Sequence, residues 1–318
     1  MFVSGSASSA NHANSASSAP LRAAIVERND LGMIDRVAIL GTGLLGTSVG
    51  LALRGAGFGG SIVGWNRGAE GAREALSMGA IDSIALDAIE AARESQVVVL
   101  CVPIYSTLDY MEQLAGVLGP EHLVTDVGST KAEITTAAGR LFNAPDRASF
   151  LPGHPMAGKE RGGAALGDGN LFRGAVWIFT DDPAWRRSGR GVELVQGWRE
   201  WVAAMGSKTI DLDAERHDEL LAWVSHLPQF AATALSSLLE DQVGNAPELK
   251  QVGGRALREM TRLGASPFSM WRDIAHTNTA AIEAALQALE QRIAHIRENL
   301  RTPELREEFE RANQFRRE

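Results

Sequence analysis

The segment RVAILGTGLLGTSVG, residues 36–50, limits what this chain can become more than any other. A short apolar run ends in Gly41-Thr42-Gly43-Leu44-Leu45-Gly46, and a helical pattern follows at once. Gly41 permits a tight turn after a strand, Gly43 lets the backbone approach a pyrophosphate, and Gly46 allows helix and strand to pack closely. The helix then aims its unpaired N-terminal amides at an anion. Strand, glycine turn and helix in this order predict a dinucleotide-binding βαβ unit. The expected cofactor contacts are Gly41, Thr42, Gly43, Leu44, Leu45 and Gly46, joined by Val102 and Pro103 at the end of a later apolar run.

Four more runs fit buried strands: SIVGW (61–65), QVVVLCV (96–102), HLVTDV (122–127) and ASFLPG (148–153). LLGTSVGLALRGAG and EGAREALSMGA between them carry helical spacing, and the alternation predicts a parallel sheet with crossover helices. AVWIFT (175–180) and KTIDL (208–212) are expected to extend that sheet. After Asp213 the strand signal fades, and residues 213–242, 247–263 and 267–300 read as helices rich in Ala and Leu. The expected fold class is α/β. An N-terminal Rossmann-type dinucleotide-binding domain covers 35–212, and an all-helical C-terminal domain covers 213–318 for substrate binding and dimerisation. The charged tail beyond residue 300 reads as a docked or solvated helix. Residues 1–34 are Ser- and Ala-rich, lack the apolar centre of a secretory signal, and are expected to be a disordered extension.

The 318 residues carry 39 acidic side chains against 31 Lys and Arg, for a formal charge of −8. Binding a phosphate backbone needs a basic face, so no nucleic-acid partner is expected. A few local arginines can still hold a small anion. A membrane-spanning helix needs about 18 apolar residues in a row, and none is present, so a cytoplasmic protein with no membrane partner is expected. Cys101 is the only cysteine, which excludes an intrachain disulfide and a thiolate metal cluster, and no metal is expected. Its place within VVVLCVP favours burial as a small apolar residue.

The second predicted strand ends at Trp65 and is followed by Asn66 and Arg67. A cofactor with a free ribose 2′-hydroxyl usually meets a carboxylate there, whereas a guanidinium can pair with a 2′-phosphate. NADP is therefore the favoured cofactor, with NAD possible.

Ser129, in DVGSTK, follows the predicted strand at 122–127, and His154, in LPGHPMAGKERGG, follows the one at 148–153. Both should lie at the C-terminal edge of the sheet, where ligands gather. A hydroxyl and an imidazole converging beside a nicotinamide suit removal of a proton from a substrate alcohol as hydride leaves its carbon. Taken singly, Ser129 would read as a helix cap and His154 as a loop histidine.

The ordered segments VAILGTGLLGTSVG, VVLCVP, TDVGSTK, GHPMAGKE, VSHLP and EMTRLGASPFSMWRDI resemble the prephenate/arogenate dehydrogenase family of tyrosine biosynthesis. The resemblance runs from residue 36 to about 290, and shows no regulatory domain appended after the helices. It implies oxidative decarboxylation of prephenate to 4-hydroxyphenylpyruvate, or of arogenate to tyrosine, and a homodimer formed through the helical domain. By this resemblance His154 is the catalytic histidine that takes the ring hydroxyl proton, and Ser129 orients it. Arg262 binds a substrate carboxylate, and Glu160 can pair with that arginine and help gate the pocket. His226 and Trp271 are pocket residues from the helical domain.

Three positions depart from the family pattern. Gln229 stands where some relatives carry a histidine, which alters one polar substrate contact. Glu259 replaces an aspartate that could partner Arg262. Lys159 replaces a smaller neutral residue, and an ammonium near the substrate's variable end would attract the keto acid prephenate and repel the amino acid arogenate. Two rival readings remain. A β-hydroxyacid dehydrogenase would need a lysine in a glycine-containing helix of the helical domain, and Lys208 and Lys250, the only lysines after residue 180, lack that setting. A non-catalytic nucleotide-binding sensor would have no use for Ser129, His154 and Arg262 together.

Overall fold

The computed structural model describes residues 33–317. Most of the expected disordered extension lies outside that range. Its last residue does not belong to it: Ile34 is buried in the core, against the helix at Gly197, where the glycine leaves room.

The chain alternates strand and helix as β1 (Arg36–Leu40), α1 (Leu44–Gly55), β2 (Ser61–Trp65), α2 (Ala69–Ser77), β3 (Ser83–Ile84), α3 (Ala88–Arg93), β4 (Val97–Leu100), α4 (Ile104–Ala115), β5 (Leu123–Asp126), α5 (Ala132–Leu141) and β6 (Ser149–Leu151). The six strands form one parallel sheet in the order β3-β2-β1-β4-β5-β6. Reversal of strand order between β1 and β4 opens a crevice at their C-terminal ends. Because alternate residues face opposite sides, both faces must be covered. Val37, Ile39, Val97, Val99 and Leu123 pack beneath α1 on one side, while Ala38, Leu40, Val98, Leu100 and Val124 pack beneath α3, α4 and α5 on the other. Each fully buried Val, Leu or Ile contributes about 1.5–3 kcal/mol.

The two later apolar runs do not extend this sheet. Pro152 lacks an N–H, which ends the ladder after β6, and the chain turns into β7 (Gly153–Pro155). With β8 (Val176–Phe179), α6 (Gly189–Ala204) and β9 (Lys208–Asp211) following, the order β7-β8-β9 makes a separate sheet, antiparallel then parallel. Trp177 and Phe179 of β8 are buried with Phe172 and Trp198 in the first core layer, which is why their run looked like a strand interior. Gly153 is the tight point of the turn: a Cβ there would lie 2.8 Å from Trp177 Nε1 and 2.9 Å from Asp126 O.

Helices make up the rest: α7 (Ala214–Leu221), α8 (Leu227–Val243), α9 (Leu249–Val252), α10 (Arg255–Thr261), α11 (Phe268–Thr277), α12 (Thr279–Glu298) and α13 (Glu304–Arg317). Asp213 caps α7 by accepting from Arg216 N at 3.1 Å. A π turn at Ala222–His226 joins α7 to α8, directly before Pro228, whose missing N–H breaks the regular ladder. A 3-10 turn at Arg262–Ala265 follows α10. Ile274 of α11 and Ile282 of α12 join the second core layer, so the helices share the sheet's core. No helix among the described residues is long and apolar enough to cross a membrane.

Candidate active site

The cofactor edge is built by the glycines. Gly41 has φ +102°, and a Cβ there would sit 2.3 Å from Cys101 O, while one on Gly46 would sit 2.1 Å from Gly41 O. Only glycine fits either place. Gly43, by contrast, has open space around it. It caps α1 without any side-chain hydrogen bond, and among the described residues neither the first-turn amides nor the buried Thr42 Oγ1 has a partner. Free amides, an orphaned hydroxyl and a glycine facing open space suit a phosphate-bearing cofactor. Leu44 is buried and Leu45 half-buried on α1, Val102 lies against Gly41, and Pro103 caps α4. Asn66 donates to Gly68 O at 3.0 Å, and Arg67 is exposed with no ion pair among the described residues. Cys101 is half-buried here, and burial, aided by the negative Asp126, pushes its thiol up, so it stays protonated.

His154 lies in β7 and is 7% exposed. Its Nδ1 is 2.8 Å from His217 Nε2, and His217 Nδ1 is 2.7 Å from Asp218 Oδ1, both residues of α7. Asp218 also accepts from Lys131 N at 2.8 Å and Ala132 N at 2.9 Å, capping α5 across the fold. The buried Lys131 ammonium pairs with Asp126 and donates to Gly153 O at 2.9 Å, bracing the residue before His154. Burial, then His217, Lys131 and His226, hold the His154 pKa well below the ordinary histidine value. Burial likewise lowers His217, against the opposing pull of Asp218.

Ser129 sits half-buried at the same edge, just before α5. Its hydroxyl makes no hydrogen bond among the described residues. The hydrogen bond that the His154 ring makes among the described residues is the one at Nδ1 with His217.

His226, at the end of the π turn, is buried, accepts from Asn278 Nδ2 at Nδ1 over 3.3 Å, and meets Trp271 edge to face at 5.9 Å. Burial lowers its pKa to about 4. Trp271 also packs against Phe230, and its buried Nε1 has no partner among the described residues. Arg262 is ion-paired with Glu160, joining the loop after β7 to the helical part.

Three expectations change. Gln229 is buried with its amide committed: Nε2 donates to Leu263 O at 2.8 Å and Thr233 Oγ1 at 3.2 Å, and Oε1 accepts from Ser266 Oγ at 3.1 Å. It steadies the turn bearing Arg262 instead of offering a free amide to substrate. Glu259 pairs with Arg255 one helical turn away, not with Arg262. Lys159 donates to Leu166 O at 2.8 Å and lies 4.0 Å from Asp168, so its ammonium serves the loop fold.

Sequence reasoning missed His217, Asp218, Lys131 and Asp126. Lys131 and Asp126 lie inside the quoted DVGSTK region, but His217 and Asp218 sit in ERHDEL, which resembles a solvated first turn.

Residues 49–198 match the family model described as prephenate dehydrogenase, nucleotide-binding domain, and residues 213–314 match prephenate dehydrogenase, dimerization domain. The chain belongs to the prephenate dehydrogenase family. A relative from Lactococcus lactis subsp. cremoris named prephenate dehydrogenase is 32% identical over 264 residues, 83% of this chain and 70% of the relative. Among solved structures, prephenate dehydrogenase from A. aeolicus, in complex with hydroxyphenyl propionate and NAD+, aligns at a TM-score of 0.76 and 26% identity, covering 89% of this chain and 95% of the other. Synechocystis arogenate dehydrogenase aligns at 0.70 and 25%, covering 88% and 98%. Like other members, the chain joins a Rossmann-type nucleotide-binding part to a helical part.

Proposed function

We propose that this member of the prephenate dehydrogenase family oxidises and decarboxylates prephenate, with NADP favoured over NAD as cofactor. The observation that carries the reading is a neutral, buried His154 at the cofactor edge, with the Arg262–Glu160 pair on the loop that leaves it.

The first turn of α1, Gly43 and Thr42 would hold the cofactor's pyrophosphate, and Arg67 its 2′-phosphate. When bound, the nicotinamide supplies a hydride acceptor for the ring carbon that bears the hydroxyl. His154 removes the hydroxyl proton. Its lowered pKa keeps it neutral and ready at neutral pH. Arg262 exchanges Glu160 for a substrate carboxylate, a bidentate partner for its guanidinium. Ser129, unpartnered at the same edge, donates to or accepts from the substrate hydroxyl. His226 and Trp271 wall the ring. The incipient ketone draws electrons from the ring carboxylate, carbon dioxide leaves, and aromatisation drives the step forward. Little push is required of the base, which suits an imidazole.

The helical part serves as a dimer interface in this reading. Trp223, Val224, Leu238, Val252, Met260 and Phe268 expose large apolar side chains there, and the model matching 213–314 is described as a dimerization domain. The test of function is a matrix of prephenate and arogenate against NADP and NAD. The expected result is fastest turnover with prephenate and NADP, and about a tenfold rise in the NADP KM on Arg67→Ala with the NAD KM unmoved. Preference for arogenate would transfer the substrate assignment, and binding without turnover would replace the enzyme by a sensor.

A further inference from the structure

The contacts behind His154 have a direction fixed by the chemistry of their atoms. An ionised carboxylate accepts and cannot donate, so the 2.7 Å contact with Asp218 Oδ1 places a proton on His217 Nδ1. Neutral His217 then has its lone pair on Nε2, and the 2.8 Å contact makes His154 Nδ1 the donor. His154 Nε2 is left with the free lone pair. That nitrogen has no hydrogen-bond partner among the described residues.

Asp218 reaches further. Its two oxygens also bind the amides of Lys131 and Ala132, the residues that open α5 just after Ser129. A single carboxylate on α7 thus fixes both the imidazole chain and the loop that carries the serine. His217 is itself fully buried between them, with no other side-chain hydrogen bond among the described residues.

We propose that His217, anchored by Asp218, is a positioning residue: it holds His154 in the tautomer and orientation that turn Nε2 towards the substrate hydroxyl. The inference rests on the base role given to His154 above. During turnover the hydroxyl proton passes to His154 Nε2, the Nδ1 proton stays in its hydrogen bond to His217, and no other bond behind the ring changes. The imidazolium so formed faces two opposing influences. Burial, then His217, Lys131 and His226, resist added positive charge on His154, while the hydrogen bond donated by its Nδ1–H to His217 Nε2 strengthens when the ring is charged.

Steady-state kinetics with prephenate and the cofactor that the wild type turns over, applied to His217→Leu, His217→Gln and Asp218→Asn with His154→Ala as control, tests the inference. Leucine should lower kcat about 100-fold while the KM values and melting temperature hold. Glutamine keeps an oxygen that can accept from His154 Nδ1–H and should recover about tenfold of the loss. Nitrogen-15 NMR of histidine-labelled enzyme should show His154 as the Nδ1–H tautomer in the wild type and a tautomer mixture in Asp218→Asn, where an amide can no longer accept at both oxygens. Wild-type kcat in His217→Leu, equal losses in the leucine and glutamine variants, or a loss that follows melting temperature and substrate binding would overturn the positioning role. Full turnover by His154→Ala would overturn the underlying base assignment instead.

Discussion

His154 is 7% exposed and held by a chain of buried groups, whereas Arg262 keeps 61% of its side chain accessible and meets Glu160 near the surface. Behind the histidine stand His217, Asp218, Lys131 and Asp126, each with two or more partners or fully enclosed. Behind the arginine stands one 3-10 turn, pinned by Gln229. The difference suits the two tasks. A base must be aimed and kept neutral, which burial accomplishes, while a carboxylate-binding group must release one partner and accept another. An exposed ion pair is worth about 1 kcal/mol or less, so Glu160 can be displaced at little cost. A buried partner could not be exchanged so readily, because removing one member of a buried pair costs about 3–5 kcal/mol.

Substitutions at the two ends should fail differently. His154→Ala is expected to lower kcat about a thousandfold with prephenate binding retained, measured by steady-state kinetics beside direct binding. Arg262→Ala should act mainly on KM, raising it about 100-fold for the loss of a charge-assisted bidentate contact. If the arginine variant instead lost kcat alone, the division of labour would be wrong.

The buried end should also respond to pH. Unfolded histidines titrate near pH 6.5, and His226 is lowered by burial to about 4, with His154 and His217 shifted in the same direction. Protons therefore bind the unfolded chain first. Stability is present above about pH 6.5 and is lost as pH falls towards 4, by about 1.4 kcal/mol per unit for His226, with His154 and His217 adding to the loss in the same direction. Denaturant titrations across that window should show the loss, and His226→Gln should flatten the slope by roughly one proton's worth. At the exposed end the change is smallest: Glu160→Gln should alter stability by about 1 kcal/mol or less, a difference that shrinks further in high salt.

The same contrast explains what could be read in advance. Gly41, Gly43 and Gly46 declare a cofactor turn because backbone geometry is a local demand, met within six residues. The parallel sheet was legible from β-branched runs, except for β3, where Ser83–Ile84 offers only two exposed residues. The strands at 176–179 and 208–211 were visible as strands and misplaced as to sheet, since a strand pattern does not name its neighbour; the first is largely buried and the second exposed throughout. The pairing of His154 with His217 spans 63 residues, and nothing local in ERHDEL marks it. Gln229 read as an altered substrate contact, and only its three hydrogen bonds reveal a brace. Glu160 and Arg262 were linked through family resemblance, not through spacing.

The most direct check of the whole account is a side-by-side measurement of kcat and KM for prephenate with His154→Ala and Arg262→Ala. A collapse of kcat in the first and of substrate affinity in the second is the predicted result. Wild-type turnover in the histidine variant, or undiminished affinity in the arginine variant, would contradict it.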